Sequence, residues 1–468
     1  MVKRRMLNKQ KEESQMNPFF ALLVILVIAT LVANIIPSGA YERITSDGRT
    51  IVNPDSFEYV KKHYVGVSDF FLSFYQGFNN AASLMAMLFF AGGAFGVVKR
   101  IGLLETAIKS LAHKLKHTSF HLVAFVLMAA IGTQVAFTSM WELSVVIIPM
   151  VIPLVLALGY DIMVGAGIVM LAACAGFGAA MTNPLFTAIA HKLAELPIYS
   201  ALGYRAVCFV VILLVCYLYL MRYASRIKKD PSKSLVKGMN SKYEAIQEEE
   251  VKFSPPLIRA GVAFLAVFLF LLYGTVQMGF DFPQMAACFV AMTFATGLAY
   301  GSGINEICDM MGEGMKDLFY AAMVMLFARA ILYILEEAMV IDTIISFLSK
   351  LVVGKSSLVT ANLLLVMQTI INFLIPSGSG QAAITIPIIV PLADMGNVTR
   401  QVACLASQFG DGFSNFIYPT NGSLIAILMV AGIPYKKWFR FFGPLFLIIM
   451  GVCAVFVSIG VMIHLGPF

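Results

Sequence analysis

The chain has 468 residues, 59% hydrophobic and only 13% charged, with a mean hydropathy of +0.85. That excludes an ordinary soluble domain, in which about a quarter of residues are charged. The net charge of +7 invites a nucleic-acid reading, but the cations form short clusters beside apolar runs, as on the flanks of membrane spans.

Lys3, Arg4, Arg5, Lys9 and Lys11 precede the first apolar run, 17–37. This run is too long for a removable signal peptide and lacks a small-residue cleavage site; it reads as a retained span. A polar segment, 38–66, is expected outside. A second span covers 67–98, followed by Lys99 and Arg100 and an amphipathic stretch, 101–115, with Ile101, Leu104, Ile108 and Leu111 on one face and Lys109 and Lys116 off it. Such a helix fits the bilayer interface.

Residues 119–160 are about forty apolar residues folded around Thr133-Gln-Val-Ala-Phe-Thr-Ser-Met-Trp-Glu142. A single span has no need of this length, nor of an acid at its centre; a re-entrant hairpin does. Polar backbone at that depth is tolerated only under cover of protein or a water-filled cavity. A broken span, 162–190, and a plain one, 199–222, follow. The segment 223–256 carries Lys228, Lys229, Lys233, Lys237, Lys242 and Lys252 with a Glu248-Glu249-Glu250 run, and reads as a cytoplasmic linker. Spans at 257–277, 283–300 and 314–335 lead to an amphipathic stretch (338–353), a second hairpin (356–395), a broken span (397–431) and a last span (438–464). The expected fold is therefore all-α and integral to the membrane, with about nine transmembrane helices and two re-entrant hairpins.

The second half repeats the first. Ser139, Pro149 and Pro153 fall on Ser377, Pro387 and Pro391 at one constant offset of 238 residues. Each copy runs into a polar, proline-broken segment: Gly176-Phe-Gly-Ala-Ala-Met-Thr-Asn-Pro184 and Gly412-Phe-Ser-Asn-Phe-Ile-Tyr-Pro-Thr-Asn-Gly422. The first amphipathic stretch is basic, whereas its counterpart carries Glu336, Glu337 and Asp342. The positive-inside rule expects that contrast if the halves, 1–222 and 257–468, are inverted-topology repeats with a cytoplasmic N-terminus. Paired broken segments in two such halves point to the binding site of a secondary transporter.

The second tip, Pro376-Ser-Gly-Ser-Gly-Gln381, offers glycines for close backbone approach and Ser377, Ser379 and Gln381 as polar groups beside Gly378 and Gly380. The helix expected to begin at Ala382 aims its amides at the tip, a place for a carboxylate. The first tip holds Thr138, Ser139 and Glu142; an acid in an apolar segment is a functional candidate by default, here for a proton, Na⁺ or a cationic group, or else as a helix cap. Thr182, Asn183 and Thr187 in one broken span, and Ser414, Asn415, Thr420 and Asn421 in the other, offer oxygens suited to Na⁺, though such groups also join membrane helices. Asp411 is a second intramembrane acid. Arg329 reads as the only arginine deep in a span, to pair with Asp411 or Glu336 or to clamp a substrate carboxylate.

The chemistry excludes other classes. Seven cysteines form no CxxC pair, and the six histidines show no metal spacing and fall near membrane edges. HExxH, P-loop and nucleophile-elbow motifs are absent, so an enzyme is not expected. No cofactor is expected beyond a coupling ion, Na⁺ or H⁺.

The run Ile375-Pro-Ser-Gly-Ser-Gly-Gln-Ala-Ala, with Pro387-Ile-Ile-Val-Pro-Leu-Ala-Asp394, Thr399-Arg-Gln, Gln408-Phe-Gly-Asp-Gly-Phe-Ser-Asn415 and Pro419-Thr-Asn, resembles the YfcC family of bacterial carriers. That family is often labelled C4-dicarboxylate anaerobic carrier and belongs to the ion transporter superfamily. The resemblance implies inverted repeats, a homodimer in the bacterial inner membrane, and a small carboxylate or amino-acid solute; some members resemble arginine–ornithine antiporters. Many members carry Gly-Met-x-Glu-Glu at the first tip, where this chain has Ser139-Met-Trp-Glu142-Leu143. The lost acid weighs against a dicationic solute.

Overall fold

The computed structural model describes residues 18–46, 49–53, 55–115, 118–183, 186–239, 243 and 253–466. The N-terminal cations, Lys116, His117, Pro184, Lys242, Lys252 and the Glu248–Glu250 run lie outside these.

In chain order the helices are α1 (Pro18–Ile35), α2 (Val67–Arg100), α3 (Leu103–Leu115), α4 (Phe120–Thr138), α5 (Ser144–Ala157), α6 (Ile162–Ala179), α7 (Thr187–Leu193), α8 (Leu202–Lys229) and α9 (Pro255–Gln277). Then come α10 (Phe282–Tyr300), α11 (Ile304–Glu337), α12 (Ile341–Lys350), α13 (Ser357–Leu374), α14 (Gly378–Met395), α15 (Arg400–Ser414), α16 (Gly422–Ala431) and α17 (Tyr435–Met462). Among the described residues the regular structure is helical apart from four short strands, which sequence reasoning missed. Strand β1 (Gly39–Ala40) pairs with β4 (Glu58–Tyr59), and β2 (Arg43–Ser46) with β3 (Arg49–Val52), both antiparallel.

Nine helices among the described residues are long and apolar enough to cross a bilayer. The number matches expectation, but its members differ. They include α4 and α13, the first arms of the two hairpins, while α1 and the short halves of the broken spans fall outside the nine. Helix α11 also starts ten residues before the expected span, reaching back over Asn305, Glu306 and Asp309.

The two halves have matching elements: α2 and α11 each have 34 residues, and α8 and α17 each have 28. Helices α2 and α11 pack antiparallel. Gly77 lies on Ala330, Gly92 on Gly314 and Gly96 on Met310, so partners fall in number along α11 as they rise along α2. A Cβ on Gly92 would stand 2.6 Å from the Gly314 carbonyl oxygen, so only glycine allows this backbone contact.

Each hairpin opens and closes on one face. Phe120 at the start of α4 stacks on Tyr160 beyond α5, centroids 3.8 Å apart, and Gly396 beyond α14 lies against Thr360 near the start of α13. Face A gathers the loop after α1, α12 and the end of α14: Ser38 Oγ donates to Ala338 O at 2.7 Å, and Arg43 pairs with Asp342 at 2.9 Å. Face B gathers the base of the first hairpin and the end of α8, where Lys228 Nζ donates to Leu158 O and Tyr223 Oη donates to Asp161.

The centre belongs to α6 and α15. Every residue of α6 is buried, as is every residue of α15 from Gln401 to Ser414. Both start on side-chain caps: Asp161 accepts from Val164 N–H and Thr399 from Val402 N–H. Asn421 does the same for α16, satisfying an amide that helix geometry leaves unpaired. Helices α6 and α15 touch at Gly178 and Gly412, where a Cβ on Gly178 would stand 2.1 Å from Phe413 Cε1. Gly178→Val is therefore expected to cost about 1–3 kcal/mol by overpacking, read as a lower midpoint in thermal unfolding of the purified protein. An unchanged midpoint would mean that the crossing is not tight.

Candidate functional site

Both helices of the centre break before they cross the protein, and each break is tied to its own hairpin. In the first half, Thr182 N–H donates to Ala136 O and its hydroxyl to Phe137 O, so the break hangs on the end of α4. In the second, Asn372 of α13 donates to Asp411 O at 3.1 Å and Ser414 Oγ at 2.8 Å. The halves are then cross-linked. Gln408 of α15 donates to Phe177 O at 3.1 Å and accepts from Thr187 Oγ1 at 3.1 Å. Trp141 of the first tip packs on Phe416 of the second break, ring centroids 4.7 Å apart.

At the first tip α4 ends on Ser139 in the left-handed region, φ 60°, a conformation that costs a non-glycine residue energy. Thr138 Oγ1 accepts from Met140 N–H, while Ser139 Oγ, Ser144 Oγ and Glu142 Oε2 are buried without hydrogen-bond partners. Trp141–Leu143 form one 3-10 turn before α5. The N-cap positions are Met140 for that turn and Leu143 for α5, and neither side chain makes a capping hydrogen bond. Two prolines inside α5 and two inside α14 (Pro149, Pro153; Pro387, Pro391) each remove a helix hydrogen bond and free a carbonyl one turn back.

At the second tip the helix begins at Gly378, four residues before the expected Ala382. The tip glycines therefore form its first turn, and neither Gly378 nor Gly380 has a positive φ. Tertiary context overrides their poor helix propensity. What Gly378 provides is close approach: a Cβ there would lie 3.6 Å from Asp411 Oδ2 and 3.7 Å from Phe186. Ser379 is exposed, Ser377 and Gly380 are half-buried, and Gln381 is buried. The Gln381 amide nitrogen is spent on Gln368, leaving its Oε1 without a partner.

Asp411 is fully buried; the Asn415 side chain lies beside its carboxyl, but neither carboxyl oxygen makes a well-formed hydrogen bond. Asn415 donates to the Asp411 carbonyl at 2.8 Å and accepts from Asn421 at 2.5 Å. Thr420 Oγ1 is buried and unpartnered, whereas Ser414 Oγ donates to Gly410 O. Asn183 is buried and accepts from Phe186 N–H at 3.0 Å. Buried polar groups are ordinarily paired, at about 1–3 kcal/mol for each that is not. Among the described residues, exceptions gather at the two tips and at the second break, while Thr296 and Asn362 lie apart from them.

Residues 16–463 match the DcuC family, described as C4-dicarboxylate anaerobic carrier. The chain belongs to that family. It is a multi-pass membrane transporter. A relative in Escherichia coli K12, described as "Putative basic amino acid antiporter YfcC", is 30% identical over 380 residues, covering 78% of this chain and 74% of that protein. An uncharacterized Haemophilus influenzae protein is 28% identical, covering 93% of this chain and 95% of its own. Among solved structures, the Alcanivorax borkumensis YdaH transporter (TM-score 0.43, 16% identity) covers 96% of this chain and 99% of its own. The Neisseria gonorrhoeae efflux pump MtrF has TM-score 0.43 and 19% identity, covering 96% of this chain and 95% of its own.

Sequence reasoning missed a buried arginine: Arg205, in the first turn of α8, is 1% exposed. It donates to Ala180 O, Thr187 Oγ1 and His191 Nε2, so one guanidinium holds both ends of the first break. His191 is fully buried in this cluster. Arg329 itself lies within electrostatic reach of Glu142 and Glu336, with no hydrogen-bonded contact to Asp411 among the described residues. Gln368 and Asn372 were also missed. Their four-residue spacing within the largely apolar run Leu363–Leu374 was the available signal.

Proposed function

We propose that this carrier moves a small carboxylate-bearing solute, C4-dicarboxylate in type, coupled to Na⁺ or H⁺. The observation that carries the reading is the meeting of Asp411 with the N-terminus of α14 at Gly378. The first amides of a helix lack carbonyl partners and favour an anion. Asp411 and a solute carboxylate thus compete for one positive end. A proton or Na⁺ on Asp411 removes the competitor, so cation and carboxylate bind together. Ser377, Ser379 and Ser139 serve the carboxylate, and Asn183 and Asn421 serve solute or ion. Thr182, Ser414, Asn415 and Thr420 supply oxygens to a cation, and Glu142 with Arg329 forms a second charged station.

Matching helix lengths, the antiparallel α2 and α11, and hairpins opening on opposite faces support reading the halves as inverted repeats. The basic clusters support a cytoplasmic face B in a bacterial inner membrane. A second reading, amino-acid exchange, is favoured by the description of the Escherichia coli relative.

Uptake of labelled succinate and labelled arginine into proteoliposomes separates the two. Succinate uptake driven by an inward Na⁺ or proton gradient is the expected result. Arginine uptake only into vesicles preloaded with amino acid would replace the proposal with exchange.

A further inference from the structure

On face B, away from the tips and breaks, a cavity of about 480 Å³ opens between the end of α8, the 3-10 turn Pro231–Lys233 and the start of α17. Four cations line it, Arg226, Lys233, Lys437 and Arg440, with Ser232 and Ser234 between them. Two carboxylates stand beside it, Asp161, which accepts from Ser234 Oγ at 2.6 Å, and Asp230. Asp230 pairs with Lys233 at 3.3 Å, and hydrogen bonds from Ser232 with the Lys233 ammonium hold its carboxyl below the ordinary range. Together the two carboxylates offset at most two of the four positive charges. The first amides of α17 add the positive end of a 28-residue helix.

What lies beneath the cavity decides the class of ligand. Arg226 and Arg222 continue along α8, at four-residue spacing, into exposed Leu218 and Leu214. On α17, Lys436 and Arg440 share a face with exposed Leu447. The two helices meet just below the cavity, where Tyr219 Oη donates to Phe441 O at 2.6 Å and Tyr223 packs on the Phe441 ring. A cationic cup thus sits on top of two apolar, outward-facing helix surfaces. That pattern matches a phosphate headgroup with its acyl chains below it.

We propose that this cavity binds the phosphate of an anionic phospholipid, with Arg226, Lys437 and Arg440 as its ligands and the outer faces of α8 and α17 receiving the chains. Phosphate headgroups line both surfaces of a bilayer, so the inference holds whichever compartment face B meets. The folded start of the linker, held by Ser234 Oγ and Tyr223 Oη on Asp161, closes one wall of the site.

Native mass spectrometry of the detergent-purified full chain tests this, with phosphatidylglycerol, phosphatidylcholine of the same chains, or inorganic phosphate added. Phosphatidylglycerol adducts are expected to exceed phosphatidylcholine adducts. Lys437→Gln/Arg440→Gln should weaken them about five-fold per cation removed, while Lys61→Gln/Lys350→Gln, on face A, leaves them unchanged. Should the double variant fail to fold, Arg440→Lys must keep the adduct and Arg440→Gln alone must weaken it. Equal adducts of the two lipids, or equal losses in both double variants, overturn the site. Inorganic phosphate bound through the same residues without lipid preference overturns the lipid assignment.

Discussion

Gradient-driven uptake by Asp411→Asn is expected to fall about 5- to 150-fold, the usual span of a coupling free energy between two sites. Exchange of solute preloaded inside the vesicle should survive. The substitution keeps shape and hydrogen-bonding capacity but removes the charge and the titration. Asp411 is fully buried in the last turn of α15, and neither carboxyl oxygen makes a well-formed hydrogen bond, although the Asn415 side chain lies beside it. An ionised carboxylate left unpaired there costs several kcal/mol, far more than the 1–3 kcal/mol of an unmade neutral hydrogen bond. A buried carboxylate of this kind favours a proton or a bound cation, and on the proposed function that proton or cation is the coupling ion. The same comparison fixes the sign of the stability change. The neutral amide removes a buried charge without opening a cavity, so the thermal midpoint should hold or rise. A fall in the midpoint with uptake retained would make Asp411 a structural residue and remove it from the site.

The outline of this carrier was legible because its signals are local. Spans, hairpins and breaks follow from windows of apolar residues, and the pairing of Ser139, Pro149 and Pro153 with Ser377, Pro387 and Pro391 is visible without any structure. Both tips and the second break hold buried, unpartnered polar atoms. What failed depended on distant partners. Arg205 stands four residues into α8, where it reads as an ordinary flanking cation, and its role appears only once Ala180, Thr187 and His191 lie beside it. Gln381 looked like a free ligand, but Gln368 on the neighbouring arm takes its amide. The start of α14 was misplaced because Gly378 and Gly380 are poor helix formers, and packing against Asp411 and Phe186 is not written in their own propensities. The strand pairs of the segment 38–66 escaped because each strand is only two to four residues long.

Arg205→Met is expected to lower transport by about tenfold or more, the kind of loss that follows misplaced binding groups, with little change in thermal stability. Two opposing terms set that balance. The side chain is 1% exposed and its three partners are neutral, so the buried charge itself costs several kcal/mol. Against this stand hydrogen bonds from a charged donor, each contributing about 1.5–3 kcal/mol. Removing the arginine relieves the first and forfeits the second, and the two are of similar size. What nothing replaces is the geometry: Ala180 O ends α6, while Thr187 and His191 belong to α7, so the guanidinium sets the angle of the break that presents Asn183. His191 Nε2 accepts from both Arg205 and Gln401, and Gln401 accepts in turn from Ser200, so loss of the arginine also loosens the start of α15. Lysine cannot restore this, since a single ammonium lacks the planar fork that reaches acceptors on two sides. Arg205→Lys should therefore fail like Arg205→Met in the uptake assay while keeping the positive charge. Recovery of transport by lysine would show that charge, not the shape of the break, is what Arg205 supplies.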